Sequence, residues 1–251
     1  MAKSANPSLP RIIGHRGAMG HAPENTLASF RKAAELGATC VEFDAKLSQD
    51  KEPIVFHDDD LDRTTDGHGP VAENTLAQLQ SLDAGAWFGG AYVGERIPTL
   101  GQAIDVLKDL NLGANVEIKP SPGREVESGL LIAEFLNIHW PDDLPGPLIS
   151  SFKMDSLIAA RAVAPDIPRA LNTLEITPDW RKRMEAAGAT SFHVLERILS
   201  TDIAAEITAA GYTLRSFTVN QPEVANRLFS WGIEGVFTDF PDRYPDDFKS
   251  R

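Results

Sequence analysis

The chain is poor in cysteine and in positive charge, and it carries no long apolar run. Its 251 residues hold one cysteine, Cys40, which excludes an internal disulfide and any cysteine-built metal cluster. Flanked by apolar residues, Cys40 reads as a small core side chain rather than a reactive thiol. Lys and Arg number 24 against 36 Asp and Glu, a formal net charge of −12. So acidic a surface repels nucleic-acid phosphates and anionic lipid headgroups, so any phosphate chemistry needs a locally positive pocket. No stretch approaches the roughly 18 apolar residues of a spanning helix. The opening MAKSANPSLPRII lacks the basic region and apolar run of a secretory leader. A cytoplasmic location without stable membrane association is the expectation, and nothing in the composition indicates the oligomeric state. A hydrophobic content of 42% with 24% charged residues rules out disorder. No Pro/Gly/Ser-rich or single-sign segment divides the chain, so residues 1–251 are expected to form one domain.

What is present is alternation. Runs rich in β-branched and aromatic residues occur at Arg11–Gly14, Cys40–Asp44, Asn115–Ile118, Leu148–Phe152, Arg169–Leu171, Ser191–Val194, Thr213–Val219 and Gly235–Thr238. Between most of them lie amphipathic stretches, at Leu27–Leu36, Gly101–Leu110, Val126–Leu136, Met154–Val163, Trp180–Ala187, Asp202–Ala209 and Glu223–Trp231. Eight strand runs in 251 residues, about 31 residues per unit, predict an α/β protein, a (β/α)8 TIM barrel. A further run, Pro53–His57, follows too closely on the second strand for a helical crossover and predicts an antiparallel hairpin. A turn centred on Asp50 and Lys51 sets Ser48 opposite Pro53 and His57 opposite Asp44. The hairpin opens an excursion over residues 45 to about 99, above the rim where barrel active sites are built. Its Gly/aromatic stretch around Trp87 reads as a candidate lid.

Chemistry concentrates at the predicted strand ends. Gly14-His15-Arg16-Gly17 follows the first strand; the glycines allow close backbone approach to a ligand, and the two side chains offer a proton-transfer group and a bidentate phosphate clamp. Taken alone, His15 is equally readable as a structural hydrogen-bonder and Arg16 as a surface ion pair. Glu42 and Asp44 stand two apart on one strand face, and Glu117 with Lys119 repeats the spacing on the next barrel strand. Three inward carboxylates are costly without a cation, and oxygen ligation favours Mg²⁺ or Ca²⁺ over softer metals. Histidine ligation would instead favour Zn²⁺ or Mn²⁺. One divalent cation, Arg16, Lys119, and the pair His15 and His57 suit cleavage of a phosphodiester. Cations stabilise the non-bridging oxygens, and two histidines serve the two proton transfers.

These segments resemble the glycerophosphodiester phosphodiesterase family. The matching text is GHRGAMGHAPENTLASF, VEFDAKLSQDKEPIVFHDDDLDRTTDGHG, VEIKP, SSF, FTVN and GVFTDFPD, in order from residue 14 to 242. The resemblance, closest to the cytoplasmic bacterial members, implies a barrel of the phospholipase C-like type. It further implies hydrolysis of small-molecule glycerophosphodiesters to sn-glycerol 3-phosphate and an alcohol. It places the paired catalytic histidines on His15 and His57, the metal acids on Glu42, Asp44 and Glu117, and the phosphate-contacting cations on Arg16 and Lys119. Phe217 stands where many members carry tryptophan, keeping an aromatic wall.

Weaker candidates are Phe152, Phe217 and Trp87 as an apolar side of the pocket and His193 as a substrate contact, each also readable as core. Asn25 or Thr26 is expected to cap a helix. The run Asp58-Asp59-Asp60-Leu61-Asp62 is expected to be solvated. A phosphodiesterase acting on lysophospholipids or phosphoinositides from the same scaffold would want a larger apolar mouth or a basic rim. A non-catalytic phosphodiester-binding protein would lack a histidine or a metal acid.

Overall fold

A computed structural model describes residues 9–249. Nine strands form one sheet: β1 (Ile12–Gly14), β2 (Cys40–Leu47), β3 (Pro53–Val55), β4 (Gly113–Ile118), β5 (Leu148–Ser151), β6 (Arg169–Thr173), β7 (Ser191–Leu195), β8 (Thr213–Phe217) and β9 (Gly235–Thr238). The order is β1-β9-β8-β7-β6-β5-β4-β2-β3, and a further pairing of β1 with β2 closes the ring. All barrel pairings are parallel, and β3 alone runs antiparallel, on β2. This is the (β/α)8 barrel with a hairpin that the alternation of strand and helix runs predicts.

The outer helices include α1 (Leu27–Glu35), α3 (Leu100–Leu110), α4 (Glu125–His139), α5 (Met154–Val163), α6 (Trp180–Ala187), α7 (Thr201–Ala209) and α8 (Pro222–Ser230), with α2 (Leu76–Ser81) in the excursion. Their starts are legible locally. Thr26 accepts a hydrogen bond from the Ser29 N–H to cap α1, Thr99 and Gln102 form a capping box on α3, and Pro222 opens α8. The same Thr-x-x-Gln box, Thr75 with Gln78, starts α2. Leu100, Ala103, Ile104 and Leu107 put one face of α3 into the main core between helices and barrel. The excursion has its own apolar cluster, including Ile54, Phe56, Leu79 and Ile97. No helix among the described residues is long and apolar enough to cross a membrane.

The hairpin register differs from expectation by one residue. Ala45 faces Val55, Lys46 faces Ile54 and Leu47 faces Pro53, and the Phe56 N–H donates to the Asp44 carbonyl at 2.9 Å. The turn runs from Ser48 to Lys51, whose N–H donates to the Ser48 carbonyl at 3.2 Å. Lys51 itself takes φ 69°, so the loop has three residues ending in a left-handed one. His57 then lies beyond the ladder, yet still reaches the barrel mouth.

Cys40 is fully buried among Ile13, Leu148, Ala170 and Phe237 inside the barrel. Burial pushes its thiol up to about 12. The folded protein is therefore expected to give no reaction with a thiol-specific disulfide reagent at pH 8, and one equivalent after denaturation. Prompt reaction of the folded protein would contradict this packing.

Candidate active site

The glycines of Gly14-His15-Arg16-Gly17 serve the backbone's approach to itself. A Cβ on Gly14 would lie 2.2 Å from the Gly17 carbonyl oxygen, and one on Gly17, at φ +88°, would lie 2.4 Å from Ser29 Oγ. This tight turn, with Arg16 at φ 49°, sets His15 at the barrel mouth and aims the Arg16 N–H at Glu42 Oε2, 2.9 Å away. Gly17→Ala is expected to cost about 3 kcal/mol, the upper end of ordinary substitutions. Chemical denaturation checks it, and an unchanged midpoint would contradict the close approach.

Each histidine is oriented through Nδ1. His15 Nδ1 lies 2.7 Å from Asp239 Oδ1, and His57 Nδ1 lies 2.5 Å from Asp58 Oδ1. An ionised carboxylate only accepts, so each Nδ1 carries the proton and leaves Nε2 for the site. Asp239 is in turn fixed by Asn220, whose Nδ2 donates to Oδ2 at 2.7 Å and whose Oδ1 accepts from the Asp239 N–H at 2.9 Å. The FTVN and TDFPD stretches thus meet behind His15. Asp58 is held by Arg63, with Nε donating at 2.6 Å.

The carboxylates come together on adjacent strands. Asp44 and Glu117 are direct register partners across β2 and β4, and Glu42, Asp44 and Glu117 each offer an oxygen within 4.8 Å of the others. Asn25 pins Asp44 twice, donating from Nδ2 to Oδ2 at 2.9 Å and accepting from the Asp44 N–H at 3.1 Å. Of the two alternative caps expected for α1, it is Thr26 that caps the helix. Lys119 Nζ lies 2.9 Å from Glu117 and 3.7 Å from Asp44. Arg16 donates to Glu24 at 2.5 Å, and its buried Nε, 3.5 Å from Asp44, has no hydrogen-bond partner among the described residues.

Burial dominates the electrostatics. It raises Glu42 well above the usual carboxylate range, helped by the charges of Asp44 and Glu117, and with Asp44 it raises Glu117 to about 7 against the pull of Lys119. Burial also pushes Asp44 upward, but Arg16, Lys119 and His57 outweigh it and hold this carboxyl well below its ordinary value. Burial lowers His57, with Arg16 and Lys119 adding to it against Asp44. Two glutamates forced toward protonation beside an ionised aspartate form a hard, all-oxygen donor set that a divalent cation relieves. The residues present fit a cation.

The expected catalytic, metal and substrate-contacting residues, Trp87 excepted, line a cavity of about 160 Å³ at the barrel mouth. Phe152 and Phe217 form its aromatic side, edge to face with centroids 5.6 Å apart, and Lys119 Nζ sits 5.2 Å from the Phe152 ring centre. Trp87 is the correction. Its Nε1 donates to the Ala84 carbonyl at 2.9 Å and its ring packs on Phe88, which holds it away from the cavity and 39% exposed. Asp59, Asp60 and Asp62 of the acidic run are exposed as expected, and Asp58 is half-buried behind His57. Exposed Asp59 accepts at 2.6 Å from Lys46, whose side chain has no exposure.

Asn115 and Asn172, which no sequence motif marks, line the cavity too. The period-two rule was the available signal, because Asn115 precedes Glu117 by two and shares its face. Arg63 carried no local signal. It bridges Asp58 to Glu24, donating to both Glu24 oxygens at 2.8 and 2.7 Å.

Comparison with known proteins agrees with this geometry. The profile of the glycerophosphoryl diester phosphodiesterase family matches residues 15–243. A glycerophosphodiester phosphodiesterase of Caldanaerobacter subterraneus subsp. tengcongensis is 34% identical over 238 residues, covering 92% of this chain and 94% of its own. Another, from Bacillus subtilis, is 32% identical over 259 residues, covering 95% and 86%. An Oleispira antarctica phosphodiesterase, solved in complex with the product sn-glycerol-3-phosphate, is 42% identical with a TM-score of 0.90, covering 94% of this chain and 95% of that one. By profile, sequence and fold, the chain belongs to the glycerophosphoryl diester phosphodiesterase family.

Proposed function

We propose that this chain hydrolyses glycerophosphodiesters to sn-glycerol 3-phosphate and an alcohol, with His15 and His57 as acid and base and one Mg²⁺ or Ca²⁺ on Glu42, Asp44 and Glu117. The observation that carries the reading is the pair of histidines, each backed at Nδ1 by a carboxylate, in one cavity with three clustered acids and two cations. A divalent cation on the three carboxylates supplies neutralisation of charge on the phosphate oxygens. The Arg16 guanidinium, with its unpartnered Nε, and the Lys119 ammonium bind non-bridging oxygens and stabilise the charge that grows on them. One histidine Nε2 takes the proton of the entering oxygen while the other gives a proton to the leaving alkoxide. The base starts neutral and the acid starts as the imidazolium, protonated on both nitrogens; Asp239 and Asp58 accept the Nδ1–H in either state and keep Nε2 turned to the substrate. The Phe152 and Phe217 rings wall the pocket against bulk water.

The test is release of sn-glycerol 3-phosphate from glycerophosphocholine, glycerophosphoethanolamine and glycerophosphoglycerol, with sn-glycerol 3-phosphate itself as the monoester control. Release from the diesters and no inorganic phosphate from the monoester is expected. Phosphate release from the monoester alone would replace this reading with a phosphatase.

A further inference from the structure

β3 ends at Val55, so His57 and the loop after it lie beyond the ladder, where side chains must hold what backbone pairing does not. The His57 ring is fixed at Nδ1 by Asp58, its own chain neighbour, 2.5 Å away. A neighbour on the same loop moves with the ring, so Asp58 can orient His57 only if its carboxylate is tied to something outside that loop. Among the described residues that carboxylate bonds to His57 and to Arg63. Arg63 Nε donates to Asp58 Oδ2 at 2.6 Å and Nη2 to Oδ1 at 2.9 Å. Nη1 and Nη2 also donate to the two oxygens of Glu24, at 2.8 and 2.7 Å. One planar fork grips two carboxylates.

The far end of the grip is a fixed point. The Glu24 side chain is only 2% exposed, and its Oε1 also accepts from Arg16 Nη1 at 2.5 Å. The next residue, Asn25, donates its N–H to the Arg16 carbonyl at 3.1 Å and holds Asp44 with both ends of its side chain. Burial pushes Asp58 upward, yet hydrogen bonds from Arg63 and His57 outweigh it and draw this carboxyl down to about 2, so it stays an acceptor. An arginine in an exposed ion pair ordinarily contributes little to stability, and the Arg63 side chain is 46% exposed. Its four bonds instead set a direction.

We infer that Arg63 is a positioning residue for His57: it fastens Asp58 to the Glu24 anchor and so fixes the aim of the His57 Nε2. This role rests on the proposed diesterase function and adds to it a residue that lies outside the cavity of about 160 Å³ where the reacting groups meet.

Release of sn-glycerol 3-phosphate from glycerophosphocholine with Mg²⁺ present tests it, in Arg63→Met, Arg63→Lys, Asp58→Ala and the double variant of Arg63→Met with Asp58→Ala. Arg63→Met is expected to lower kcat about 10- to 100-fold, the scale of a misplacement of about 1 Å. KM is expected to stay within about threefold, because Arg16 and Lys119 remain. Arg63→Lys is expected to stay at least about fivefold below the wild-type kcat, since an ammonium cannot grip both carboxylates in one plane. Added to Asp58→Ala, Arg63→Met is expected to cost less than about a further threefold, because the group it holds is already gone. A merely structural arginine would lower Tm and leave kcat alone, or its loss would multiply with that of Asp58. A wild-type kcat in either Arg63 variant overturns the inference, as does a loss confined to KM or one that multiplies in the double variant. Should Arg63→Met not fold, Arg63→Lys carries both comparisons. No release by the wild-type protein removes the diesterase reading and this role with it, whereas full release without Arg63 removes the positioning role alone.

Discussion

Alanine at His15 or at His57 is expected to lower kcat by about 10²- to 10⁴-fold, the range for loss of a positioned general acid or base. The magnitude follows from the way the rings are held. Each has one nitrogen committed to a carboxylate, Asp239 or Asp58, and lines the cavity with the other, so no nearby group can substitute for either. KM is expected to change far less than kcat, because Arg16 and Lys119 remain to bind the phosphate. Asp239→Asn should have a smaller effect of the same kind, since the amide can no longer hold the His15 tautomer as a carboxylate does. Steady-state kinetics on glycerophosphocholine measure all three. A near-normal kcat in either histidine variant would remove that residue from the mechanism.

Glu42→Gln is expected to abolish activity and also the gain in Tm that Mg²⁺ brings to the wild-type protein. A cation at a hundredfold excess over its Kd adds about 2.7 kcal/mol to the folded state, which for a chain of this size is about 5 to 10 °C. In the metal-free protein the same substitution is expected to raise Tm by about 2 °C or more. The amide oxygen still accepts the Arg16 N–H that Glu42 Oε2 accepts at 2.9 Å, while the cost of holding a buried carboxyl in its protonated form beside Asp44 and Glu117 is gone. Opposite signs with and without Mg²⁺ separate a ligand role from a structural one. A variant whose Tm still rises with Mg²⁺ as the wild type's does would contradict the role given to Glu42.

Local pattern made the barrel legible. The helix over Met154–Val163 and that over Trp180–Ala187 begin and end where the amphipathic stretches do, and caps such as Thr26 and Thr99 mark starts that a reader can see. The hairpin register was not legible, because it turns on Lys51 adopting a left-handed conformation for which the usual signal is glycine or asparagine. Glu42 with Asp44, and Glu117 with Lys119, could be paired by the two-residue period alone. The groups behind them could not. Asp239 meets His15 across 224 residues, and Arg63 reaches Glu24 across 39, contacts that only barrel closure and the path of the excursion create. Trp87 failed for the opposite reason. An aromatic in a glycine-rich loop has no periodicity to fix its direction, and here its indole N–H is satisfied within its own loop.

Cation-dependent diester cleavage is tested most directly by the rate of sn-glycerol 3-phosphate release from glycerophosphocholine before EDTA, after EDTA, and after re-addition of Mg²⁺ or Ca²⁺. Release is expected to stop with the chelator and to return with a divalent ion, together with a chelator-sensitive Tm. A rate indifferent to EDTA, in protein shown to have lost its metal, would contradict it.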